Sequence, residues 1–178
     1  MVDDRTLMTR IARGDEQSFN DLVGRHSGKL LAVARRLLGS PADAEDAVQR
    51  AFMRCYTGAR TYRPEWEVAT WLYRILANTC VDEMRRRAAA GRRDLAHAAR
   101  PGAAGAGSPP EQRIDLQRAL ARVPREARLL LALRYVDGLS YSEMARIRGI
   151  TVNTVKSQLA RGKSIMKTAL QRGGRKRW

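Results

Sequence analysis

The stretch AAAGRRDLAHAARPGAAGAGSPP, residues 88–110, has Leu95 as its single large aliphatic side chain. A segment of Ala, Gly, Pro and Arg has almost nothing to bury, so it reads as a flexible linker outside any core. It divides the 178-residue chain into two modules, each too small for an extensive core. The expected organisation is a first domain over residues 1–87, the linker over 88–110, a second domain over 111–172 and a basic tail over 173–178. Fully extended, the linker reaches about 80 Å at about 3.5 Å per residue.

The two sides of this divide differ electrostatically. In residues 1–84 the basic and acidic side chains balance, 12 against 12, whereas residues 85–178 hold 22 basic and 6 acidic ones and so the entire formal charge of +16. Residues 112–178 alone carry 16 basic against 4 acidic side chains. Such a density of positive charge suits a polyanionic partner, because neutralising phosphates releases condensed counterions whatever the base sequence.

Apolar residues recur at helical spacing throughout, and no alternating strand pattern interrupts them. Phe19, Leu22, Val23, Leu30, Val33, Ala34, Leu37 and Leu38 make one stripe; Ala44, Ala47, Val48, Ala51, Phe52 and Cys55 make a second. Ser40 and Pro41 open the second helix as N-cap and first-turn proline, with Asp43 and Glu45 placed to suit its dipole. A third helix is expected over residues 68–87, with Leu72, Ile75, Leu76 and Thr79 on one side. After the linker come helices near 112–122 and 125–136, separated at Pro124 and stopped at Gly138, and then two more. The fold class is therefore all-α: two small helical domains joined by a flexible linker.

The last two helices, in SYSEMARIRGITVNTVKSQLARGKSIM, have the layout of a helix-turn-helix. Ser140 and Glu143 form a capping box, Ala145 is small where helices must cross, Gly149 suits the positive φ of the turn, and Val155 anchors the second helix. Thr151 caps that helix. Steps of 100° put Val152, Val155, Leu159 and Met166 inward, and Asn153, Thr154, Ser157, Ala160 and Arg161 outward, with Lys156 and Gln158 on the flanks. Lys156 is placed for phosphate or the groove edge, and Ser157 and Arg161 for base edges. The competing reading of this outward face is an ordinary solvated helix surface.

Cys55 and Cys80 stand apart, with no CxxC and no His pair nearby, so neither a zinc site nor a disulfide framework is indicated. No metal or cofactor is expected. The chain has no P-loop, no HExxH and no zinc-deaminase signature, and His26 and His97 have no clustered partners, so neither an enzyme acting on nucleic acid nor any small-molecule substrate is expected. The amino terminus lacks the basic-then-apolar order of a secretion signal, and no apolar run approaches the roughly 18 residues that span a bilayer. A soluble, cytoplasmic protein is expected.

With these motifs in order, the chain resembles bacterial RNA polymerase sigma factors of the extracytoplasmic-function type. DAEDAVQRAF (Asp43 to Phe52) is similar to the family's core-binding helix, WLYRILANTCVDEMRRR (Trp71 to Arg87) to its promoter-opening segment, and LSYSEMARIRGITVNTVKSQLARGK to its final helix-turn-helix. The resemblance implies contact of Asp43, Asp46, Gln49 and Phe52 with the β′ clamp helices of core RNA polymerase, and contact of the second domain with the β flap. It implies minus-10 DNA binding by Trp71, Arg74, Asn78, Arg85 and Arg86, with Asn78 near the site that captures an unstacked base. Minus-35 DNA would be bound by Asn153, Thr154, Lys156, Ser157, Gln158 and Arg161. An anti-sigma factor is a further partner the resemblance implies, able to hold the chain at the inner membrane. Arg50 departs from the acidic residue usual after that glutamine, and Asn153, Gln158 and Ala160 differ from the residues frequent in the family's reading helix. A stand-alone regulator with a similar helix-turn-helix is the rival, but residues 1–84 show no receiver pattern.

Overall fold

A computed structural model describes residues 2–94 and 110–174. Among them are eight α-helices and no strand: α1 Asp4–Ile11, α2 Glu16–Leu38, α3 Pro41–Gly58, α4 Val68–Asp94, α5 Pro110–Arg122, α6 Arg125–Val136, α7 Tyr141–Arg148 and α8 Val152–Gly174, with a 3-10 turn at Ala59–Thr61.

In the first domain each helix start has a local cause. The Asp3 carboxylate accepts from the Thr6 amide at 2.7 Å, Asp15 from the Ser18 amide at 3.1 Å, and Ser40 Oγ from the Asp43 amide at 3.4 Å. Gly39, at φ 72°, ends α2 in the left-handed conformation that costs glycine nothing. Leu22, Leu30, Val33 and Ala34 of α2 are buried against Ala44, Ala47, Ala51 and Cys55 of α3 and Leu72, Leu76 and Cys80 of α4. Each such leucine contributes about 2 kcal/mol by leaving water. Helix α1, absent from the periodicity reading, adds Leu7, Met8 and Ile11 to this core.

Helix α4 runs through Asp94, beyond Arg87, where the linker was expected to begin. Ala88 to Ala90 have the highest helix propensity of any residue, and no proline interrupts before Pro101, so the preceding helix propagates into the Ala-rich segment. Likewise α8 reaches Gly174, past the start of the expected tail. Residues 95–109, including Leu95 and His97, and the tail residues 175–178 lie outside the described residues.

The second domain packs α5 to α8 around Leu129, Leu130, Leu133, Met144, Ile147 and Val155. Arg128 closes the end of α5, its Nη2 donating to the carbonyls of Ala121 at 2.9 Å and Val123 at 3.1 Å. Gly162 lets α8 approach α6: a Cβ there would stand 3.0 Å from Leu131 Cδ1 and 3.3 Å from Ala127 Cβ. The second domain is seated on the first, with α6 against α2 and α4, and α7 against α4.

Candidate nucleic-acid interface

The helix-turn-helix has the geometry its residues anticipate. Ser140 caps α7: the Glu143 amide donates to Ser140 Oγ at 3.2 Å, and the Ser140 amide donates to the Glu143 carboxylate at 2.7 Å. Gly149 makes the turn at φ 66°, and the Thr154 amide donates to Thr151 Oγ1 at 3.1 Å to start α8. Ala145, Val155 and Leu159 are buried.

One inward assignment fails. Val152 is exposed, because it is the first residue of α8 and lies about 60° to one side of Val155, beyond the reach of α7. The inward row is instead continued by Gly162, which is buried. On the outward side Asn153, Lys156, Ser157, Ala160 and Arg161 are exposed, whereas Thr154 and Gln158 are half-buried. The Thr154 hydroxyl is engaged with Thr151 at 2.8 Å, so it serves the helix start. The outward face thus offers one guanidinium, one ammonium and three short side chains, a composition that lets a helix lie close to a groove floor.

On α4 the other expected DNA contacts form a second surface. Trp71 is half-buried and packs edge-on against Tyr62, with ring centres 5.4 Å apart. With Thr61, Arg63, Trp66 and Arg74 it lines a cleft of about 300 Å³. Arg74 and Asn78 are exposed one turn apart on the same helix. Thr61, Arg63 and Trp66 were missed by the sequence reading, since they lie in a turn and loop without periodicity, although a tryptophan between charged loop residues was a visible signal. Arg85 and Arg86 are exposed near the far end of α4, where Arg85 faces Asp82 at 3.7 Å and Arg86 pairs with Glu83.

The expected polymerase-binding residues separate into two groups. Asp46 and Gln49 are exposed on α3. Phe52 is buried instead, because it shares the inward face of Val48 and Cys55 and meets the edge of Phe19 at 6.3 Å. The exposed apolar residue of that stretch is Met53, 54% accessible and one turn beyond Gln49. Asp43 is tied to Arg87, and hydrogen bonding from Ser40 followed by the Arg87 guanidinium holds its carboxyl below the usual range. Arg50 bridges Asp46 at 2.8 Å and Glu83 at 3.2 Å, so it joins α3 to α4. Burial works against ionisation of Glu83, but bonds from Arg50 and Arg87 outweigh it and lower its pKa. Cys55 and Cys80 are buried thiols. Among the described residues no group of three or more His, Cys, Asp or Glu side chains could hold a metal, and no helix is long and apolar enough to cross a membrane.

These features define a class: an all-α protein with a helix-turn-helix at one end and an aromatic, basic cleft on a neighbouring helical bundle. Residues 22–90 match the family described as Sigma-70 region 2, and residues 113–166 match Sigma-70, region 4. The chain is 34% identical to the ECF RNA polymerase sigma factor SigM of Mycobacterium tuberculosis, covering 90% of this chain and 81% of that one. It is 33% identical to the ECF RNA polymerase sigma-E factor of Escherichia coli, covering 94% of each. In fold it is similar to CnrH, solved in complex with the cytosolic domain of CnrY (TM-score 0.72, 24% identity, 94% of this chain and 97% of that one). It is also similar to RpoE of Bartonella quintana, solved with the anti-sigma factor NepR (TM-score 0.66, 24% identity, 87% and 98%). The chain belongs to the extracytoplasmic-function family of RNA polymerase sigma factors and is a promoter-specific transcription initiation factor.

Proposed function

We propose that the chain reads a promoter in two places while bound to core RNA polymerase, and that it supplies no catalytic chemistry of its own. The two tasks fall to two helical groups, α1–α4 and α5–α8. Asp46, Gln49 and Met53 form the α3 face that meets the β′ clamp helices; an exposed methionine beside two polar groups can supply apolar contact without weakening the fold. The outward face of α8, led by Lys156, Ser157 and Arg161, enters the major groove of the minus-35 element, and the second domain also meets the β flap.

On α4, the cleft of Trp66, Trp71 and Arg74 receives an unstacked minus-10 base, with Asn78 donating to or accepting from its edge. Arg85 and Arg86 track the backbone. The observation that carries this reading is the pairing of one exposed basic helix face with one aromatic, arginine-lined cleft on separate domains. An anti-sigma factor is the inhibitory partner, by analogy with the solved complexes, and the cytoplasm is the site of action.

Run-off transcription with core polymerase over a promoter library tests the reading. Transcripts that require the chain, and that fall with Arg161→Ala and Asn78→Ala, are expected; the absence of any chain-dependent transcript would overturn it.

A further inference from the structure

A cleft of about 460 Å³, a size common among small-molecule sites, opens where the ends of α2 and α4 meet the α5–α6 turn. Leu37, Leu38, Met84 and Val123 supply apolar surface to it. Arg87, Arg122, Arg125 and Arg128 bring four guanidiniums, and no carboxylate stands among the described lining residues. Arg87 is already paired with Asp43 and Glu83, neither of which lines the cleft. The acid in the first turn of α6, Glu126, is taken by Arg148 at 2.9 Å. Among the described residues no carboxylate pairs with Arg122, Arg125 or Arg128, so three cations share the cleft without a countercharge.

Arg128 is the sharpest case. Its Nη2 donates to the carbonyls of Ala121 and Val123 and its Nη1 reaches Met84 Sδ at 3.8 Å, but its Nε is buried with no hydrogen-bond partner. Carbonyls and a thioether carry only partial negative charge. Burial, and after it the neighbouring Arg125, work against the charged form and lower the Arg128 pKa. A buried cation satisfied only in part is costly, and an anion entering beside it relieves both the missing countercharge and the repulsion between the arginines. Helix α6 adds to the same field. Pro124 lines the cleft and caps α6 with no side-chain hydrogen bond, which leaves the positive end of the helix dipole uncompensated there.

We propose that this cleft binds a nucleoside polyphosphate, its phosphates among Arg122, Arg125 and Arg128 and its base against Leu37, Leu38 and Met84. Guanidinium groups match phosphate oxygens in pairs, and three of them balance the charge of a di- or triphosphate. Inorganic phosphate alone would leave the apolar surface uncovered, whereas a base buries it and gains the usual stabilisation of apolar contact. The site gives a promoter-reading protein a small-molecule input, separate from the helix face and the aromatic cleft that meet DNA.

Calorimetric titration of the full-length chain with ATP reads the affinity, at about 0.15 M salt so that diffuse attraction to the +16 charge is screened. Arg122→Ala and Arg125→Ala, which leave the core untouched, are each expected to weaken binding by about tenfold or more through loss of a charge-assisted bond to phosphate. Lys167→Ala removes the same charge from an exposed position of α8 and should keep the parent affinity. Pyrophosphate should bind more weakly than ATP. Photolysis with 8-azido-ATP should label peptides covering residues 84–88 and 121–128, and circular dichroism checks that each variant stays folded. Absence of saturable ATP binding would overturn the site, as would equal losses in Lys167→Ala and Arg125→Ala or labels confined to α8. Pyrophosphate binding as tight as that of ATP would overturn the assignment of the apolar surface to a base.

Discussion

The guanidinium of Arg74 lies 4.9 Å from the ring centre of Trp66, bringing a loop residue and a helix residue together over the cleft that Trp71 also lines. A flat cation on an indole makes a surface on which any base can stack, and stacking of this kind contributes about 1–3 kcal/mol per base. Trp66→Ala should weaken binding of a single-stranded minus-10 oligonucleotide by about tenfold or more, since about 1.4 kcal/mol is tenfold. Affinity for a minus-35 duplex should not change, as measured by fluorescence anisotropy on both probes. Equal loss on both would mean that the substitution damages the fold.

Met53 and Gln49 are neighbours on the open side of α3. Placing a charge at Met53 leaves the core untouched, so Met53→Glu should keep the melting temperature within a degree or two. Competition for fluorescent core polymerase should show its affinity reduced by about tenfold or more, because a carboxylate replaces an apolar contact at the interface. Unaltered competition would remove this face of α3 from the polymerase contact.

The capping box of α7 makes stability depend on pH. Bonds from the hydroxyl and the amide of Ser140 hold the Glu143 carboxyl below its usual range. A carboxyl depressed in the folded state stabilises above its unfolded pKa of about 4.3, and that contribution is lost as pH falls through the lower folded value. Ser140→Ala should therefore cost about 1 kcal/mol at neutral pH. In urea melts the gap between variant and parent should narrow below about pH 4; a gap independent of pH would contradict the assignment.

Burial pushes the Cys55 and Cys80 thiols up to about 12. The reactive thiolate is then negligible near pH 8. Neither cysteine should react with a thiol reagent in the folded protein within minutes, and both should react once urea unfolds it. Mass spectrometry that found rapid modification of either thiol in the native chain would refute the packing between α3 and α4.

Much of the fold was legible because its signals are local. The caps at Ser40 and Ser140, the turn at Gly149 and the stripes of α2 and α3 depend on residues within a few positions of one another. What escaped depends on distant partners. Helix α1 is too short for periodicity to declare it, and the closeness of Gly162 to Leu131 exists only once α6 and α8 pack. Phe52 and Met53 are adjacent, so a small difference in helix phase decides which one faces out, and the apolar stripe had already placed Phe52 inside. The aromatic cleft needed the loop at Trp66 to fold back over Arg74. The contact between Arg148 and Asn78 had no precursor in local sequence at all.

Permanganate footprinting of a promoter, with core polymerase and this chain added separately and together, is the most direct test of two-site promoter reading by the holoenzyme. Reactive thymines across the minus-10 element should appear only when both are present, should diminish with Trp66→Ala or Asn78→Ala, and should be lost when the minus-35 element is scrambled. Opening by core polymerase alone, or tight promoter occupancy by the chain alone with no core-dependent melting, would contradict it.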